Sequence, residues 1–68
     1  MTTEEMQVVG MMKVYGGSFV NALAHAMLLA DAVNFAVLRD AFPVYWRHYA
    51  ALNAEGQQQI DQALRKPE

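Results

Sequence analysis

Between Lys13 and Asp31 lie 17 consecutive residues without a formal charge, and this run limits what the chain can become more than any other feature. At 3.6 residues per turn, the segment Ser18 to Ala30 places Phe19, Ala22, Leu23, Ala26 and Ala30 on one face. Val20, Ala24, Met27 and Leu28 cover much of the remainder, and only Ser18, Asn21 and His25 form a thin polar stripe. A helix this apolar has to be covered by other elements or by a second chain, so residues 18–30 are predicted to be the buried centre of the fold. The run contains Gly16 and Gly17 and falls short of the roughly 20 apolar residues a bilayer span requires. No membrane association is expected.

The flanking sequence supplies short helices on both sides. Thr2 with Glu5 three residues later reads as a capping box, and Glu4 and Glu5 suit the positive end of a helix over residues 3–15. Gly16 and Gly17 either end that helix through a left-handed cap, with Ser18 capping the next, or lie within a bent continuous one. The pairing of glycines favours a break. Asp31 is placed to cap a helix over 32–42 whose core stripe is Phe35, Leu38 and Phe42. Pro43 ends it and suits the first turn of another, predicted over 44–52. Asn53 is read as the cap of a last helix over 54–65, with Ile60 and Leu64 as its apolar ridge. No alternating pattern of useful length points to a strand.

A chain of 68 residues is read as one domain, 1–68, and a domain of this size buries only about 60% of its unfolded surface. Without cysteine neither disulfides nor thiolate metal sites can reinforce it, which leaves self-association as the expected reinforcement. The expected fold class is therefore all-α: four to five short helices around a central apolar helix, completed by dimerisation. A net charge of −2 provides no broad cationic footprint for phosphates. Acidic residues stand where a secretory leader would carry basic ones, so a cytoplasmic location is expected.

Few residues suggest chemistry. Ser18, His25 and Asp31 have the composition of an acyl-transfer triad, but seven residues of helix put Ser18 and His25 about 10 Å apart, and no nucleophile elbow surrounds Ser18. His25 and His48 belong to no ligand pair with metal spacing. No enzymatic activity, metal or cofactor is expected. Asn21 and His25, one turn apart, are candidates for an interhelical hydrogen bond or a polar lock in a dimer seam. The block Tyr45, Trp46, Arg47, His48, Tyr49 is the most distinctive local feature, rich in types that recur at binding hot spots. Trp46 and Tyr49 also suit closure of a small core. Arg47 and His48 are surface candidates, and a basic patch could form if Arg39, Lys13 or Arg65 gathered near them. Met11 and Met12 are candidates for an adaptable contact surface. Tyr45, Trp46, Arg47, His48, Met11 and Met12 are thus the partner-binding candidates.

The run Tyr15, Gly16, Gly17, Ser18, Phe19, Val20, then Ala22, Leu23, Ala24, followed by Asp31, Asn34, Phe35, Leu38 and by Ala41, Phe42, Pro43, Tyr45, Trp46, Tyr49, resembles short helical proteins of unknown function carried by tailed phages and prophages. That resemblance implies an intracellular accessory protein that inhibits or redirects a host protein, and it transfers no functional residue. The leading expectation is a non-enzymatic protein-interaction module, a homo-oligomer with a protein partner. The alternative is a small nucleic-acid-binding helical regulator, which the net charge opposes.

Overall fold

The first helix, α1 (Thr3–Tyr15), begins where its cap dictates. Glu5 N–H donates to Thr2 Oγ1 at 3.1 Å while Thr2 N–H donates to Glu5 Oε1 at 2.7 Å, so two otherwise orphaned amides are satisfied reciprocally. The computed structural model describes the backbone of residues 1–64 and the side chains of residues 1–60. Within these, α2 covers Ser18–Leu29, α3 Ala32–Ala41 and α4 Pro43–Leu64, and there is no strand among the described residues.

Gly16 and Gly17 separate α1 from α2, but not through a left-handed cap. Gly16 is extended, with φ −75° and ψ 155°, and no described glycine has positive φ. What this position requires is the absence of a side chain. A Cβ on Gly16 would lie 2.5 Å from both the Met12 carbonyl oxygen and Val20 Cγ1, so glycine lets the start of α2 fold directly against the end of α1. Gly17, not Ser18, occupies the cap of α2, and Ser18 is its first helical residue. Asn21 reaches back from α2, its Nδ2 donating to the Lys13 carbonyl at 2.7 Å. That carbonyl is one of the four that a helix C-terminus leaves without an internal partner.

Asp31 caps α3 by accepting from Asn34 N–H at 2.8 Å. Pro43 then opens α4, where its missing N–H has no intrahelical partner to lose. The sequence reading placed a break at Asn53, yet α4 is one helix of 22 residues. The reason is tertiary: Asn53 is buried, and its Nδ2 donates to Gln7 Oε1 of α1 at 3.2 Å. An asparagine held across an interhelical contact cannot also turn back to cap its own chain. The predicted Arg65 terminus and the Leu64 side chain lie outside the described residues.

The core is formed by Val8, Val9 and Met12 of α1, Val20, Leu23, Ala24 and Met27 of α2, Phe35 of α3 and Tyr49 of α4. Trp46 closes one side, its ring edge-on to Phe35 with centroids 5.6 Å apart. Within a single chain, α2 is covered on one side only. Phe19, Leu28 and Leu29 are 54%, 43% and 75% exposed, and Ala22, His25 and Ala26 are exposed between them. The expectation of a helix hidden on nearly every side therefore does not hold for one chain. Its true inward stripe, Val20, Leu23, Ala24 and Met27, follows the i, i+3, i+4, i+7 rule. The molecule is elongated, 47 × 23 × 17 Å.

Candidate interaction surface

Three aromatic rings meet where α2 starts and α3 gives way to α4. Phe19 stands in the first turn of α2, Phe42 at the C-cap of α3 and Tyr45 in the first turn of α4. Phe19 lies 5.7 Å from Phe42 and 5.8 Å from Tyr45, and Phe42 lies 6.3 Å from Tyr45, with all three ring planes inclined to one another. These are the separations at which edge-to-face attraction holds rings in place. Phe42 is half-buried against the core, whereas Phe19 is 54% and Tyr45 38% exposed. Val44 beside them is 68% exposed. The result is an aromatic knob that rests on the core through Phe42 and is open to solvent.

The remaining candidates separate into core and surface. Met12 is fully buried at 0% exposure, which corrects its assignment to a contact surface. It lies one turn beyond the equally buried Val8 and is committed to packing. Met11 is half-buried and lines an open groove of about 340 Å³ with Tyr15, Leu52, Glu55, Gly56 and Gln59. Trp46 is half-buried and packed on the core. His48 is exposed and meets Tyr49 edge-on at 4.8 Å. Arg47 is exposed, with Nε donating to the Pro43 carbonyl at 3.4 Å.

The cluster of cations imagined around Arg47 does not include a free Arg39. Arg39 pairs with Glu5 at 3.1 Å and Asp40 at 3.3 Å, and its guanidinium stands 5.7 Å from the Phe35 ring centroid. The Glu5 carboxyl is held below the usual carboxylate range, first by the hydrogen bond from Thr2 N–H. Desolvation, next in size, opposes this, while the Thr2 hydroxyl and then the positive charges of Arg39 and the N-terminus add to it. Arg65 lies outside the described residues.

Of the polar pair on α2, Asn21 joins α2 to α1 within the chain, while His25 is exposed. Ser18 and Asp31 sit at opposite ends of α2, and only Asp31 makes a cap bond. No three histidine, aspartate or glutamate side chains gather as a potential metal site among the described residues. No helix among them is long and apolar enough to cross a membrane.

Sequence reasoning singled out Tyr45 but missed Phe19 and Phe42 as its companions. No local signal joins the three, because they stand at the start of α2, the end of α3 and the start of α4. Among the described residues the fold defines an all-α protein of four helices. Compared with models of known families, with curated proteins and with solved structures, the chain shows no match.

Proposed function

We propose that this chain is a non-enzymatic protein-interaction module that acts as a homo-oligomer and binds a host protein, modulating it as a phage-type accessory protein of the cytoplasm would. The observation that supports this reading is the exposed knob of Phe19, Phe42 and Tyr45. Large rings packed against one another at the surface lose little side-chain freedom on docking and bring much apolar area to a contact, as binding hot spots do. Completion of the central apolar helix by a second chain belongs to the same proposal, because so small a domain without covalent staples gains core by association.

The test is affinity capture from host lysate with the full chain, a Phe19→Ala/Tyr45→Ala variant and a Val14→Ala control. Val14 is 71% exposed on α1. The expected result is a protein retained by the wild type and the control and lost by the aromatic variant. Equal capture by all three, or none by any, would reject the assignment. A second reading, nucleic-acid binding, draws on the same rings as stacking platforms. The pairing of Arg39 with two carboxylates weighs against it, and absence of affinity for single-stranded oligonucleotides at low salt would eliminate it.

A further inference from the structure

We infer that the open groove between α1 and α4 receives the side chain of an arginine presented by a partner protein. This rests on the reading of a protein-interaction module and names the chemistry of one contact, at a site that shares no residue with the aromatic knob. Met11 and Tyr15 of α1 line the groove with Leu52, Glu55, Gly56 and Gln59 of α4. Its size limits the occupant. A volume of about 340 Å³ stands at the low end of the roughly 300–1,000 Å³ of small-ligand sites. One long side chain fits such a space, whereas a helix, about 10 Å across with its side chains, does not. An open groove also covers too little of a free small molecule to hold it well, so the group it takes is one delivered on a larger surface.

Charge and shape select arginine. Met11 and Leu52 are half-buried and give an apolar floor, and Tyr15, 66% exposed, offers a ring. The only charge among the lining residues is the Glu55 carboxylate, which pairs with no cation among the described residues. Arg39 is engaged by Glu5 and Asp40, and Arg47 donates to the Pro43 carbonyl. Because α1 ends at Tyr15, the negative pole of its dipole lies at the groove as well. A long apolar stem with a cation at its tip complements these features, the stem covering Met11 and Leu52 while the charge meets Tyr15 and Glu55. A planar guanidinium does this better than an ammonium, since it can stack on a ring and still direct N–H donors to the Glu55 carboxylate and the Gln59 amide oxygen.

Gly56 supplies an independent observation. It lies within α4, where glycine is a poorer helix former than alanine. Its φ is not positive, and a Cβ there would meet nothing within 4 Å among the described residues. Nothing described in the fold of the chain requires glycine at this position. Its absent side chain instead keeps the groove open, which exchanges helix stability for room to bind.

Amide NMR on the full chain, titrated with the blocked tripeptide Ala-Arg-Ala, tests this, with circular dichroism to monitor the fold. The expected result is saturable, weak binding that shifts Met11, Tyr15, Glu55 and Gly56. An otherwise identical peptide with citrulline, which keeps the shape of arginine and removes its charge, should bind about threefold more weakly, the scale of an exposed ion pair. Glu55→Gln should weaken the arginine peptide by a similar factor and leave the citrulline peptide unchanged. Gly56→Leu should abolish saturable binding without lowering the melting temperature. Should that variant lose helix, Gly56→Ala is read instead, with weaker binding and a melting temperature no lower than that of the wild type. The inference is overturned by no saturable shift, by citrulline or lysine peptides that bind as tightly as arginine, by shifts centred on Glu4, Asp31 or Asp40, or by glycine variants that bind like the wild type. Arginine binding in the groove with no host protein captured leaves this site in place and counts against the interaction-module reading. Capture through the knob with no arginine binding does the reverse.

Discussion

Both sides of α2 carry large apolar side chains, the outer one together with Ser18 and His25, and their fates are opposite. Val20, Leu23, Ala24 and Met27 are buried against the rest of the chain, whereas Phe19, Leu28 and Leu29 remain in water with Ala22 and Ala26 between them. Hydrophobicity alone therefore does not decide which side is covered. Geometry does: Gly16 lets Val20 come directly against the end of α1, and Asn21 fastens the neighbouring flank of α2 to Lys13. A helix apolar all round has more surface to hide than one short partner can cover, and the surplus is available for association.

The contrast is broken most strongly at Met27 and Leu29. Met27→Ala removes a side chain only 1% exposed and is expected to cost about 2–5 kcal/mol, a large share of a small domain's stability. Leu29→Ala in dilute, monomeric protein should stay within roughly 0.5 kcal/mol of the wild type. Urea denaturation of both variants measures the difference. Comparable losses would mean that the two sides are not distinct in the folded chain.

The next largest effect concerns the glycines. Gly16→Ala drives a methyl group into the Met12 carbonyl and Val20 and should cost roughly 1–3 kcal/mol as the helices are forced apart. Gly56→Ala, within α4 and with nothing within 4 Å of the new carbon, should stabilise by up to about 1 kcal/mol through helix propensity alone. Thermal melts that rank these two variants the other way round would show that Gly16 does not mediate the close contact of α1 with α2.

Smaller effects sharpen the comparison at the start of α1, where Arg39 of α3 is tied to Glu5. Thr2→Ala removes the reciprocal cap and should cost about 1 kcal/mol. Because the folded state lowers the pKa of Glu5, the unfolded chain binds more protons through the acid range. Stability from this carboxylate is therefore present above its ordinary pKa and lost as pH falls through the depressed folded one. Melting points measured from neutral pH into acid should fall less steeply for Glu5→Gln than for the wild type. Parallel curves would remove Glu5 from the account.

Much of the helical framework was legible because its signals are local. Thr2 with Glu5, the glycine pair, Asp31 and Pro43 each act through backbone chemistry within a few residues, and the helix termini fall at or beside them. The reading failed where a distant residue decides. Asn53 has a cap's composition, but Gln7, far away in sequence, engages its side chain and α4 continues. The orientation of α2 was misjudged for a related reason: an almost uniformly apolar helix offers several stripes, and only the position of α1 selects the one through Val20 and Met27. The aromatic knob joins residues from three helices, so local spacing could expose Tyr45 but not its neighbours. Met12 and Met11 are adjacent in sequence, yet one belongs to the core and the other to a groove.

The most direct test of the claim that the outer side of α2 is completed by a second copy is the melting temperature of the full chain as a function of its concentration. Association stabilises the folded state by mass action, so the midpoint should climb steadily from dilute to concentrated protein and flatten in Leu29→Glu. A wild-type midpoint that does not move across the same range would contradict the claim.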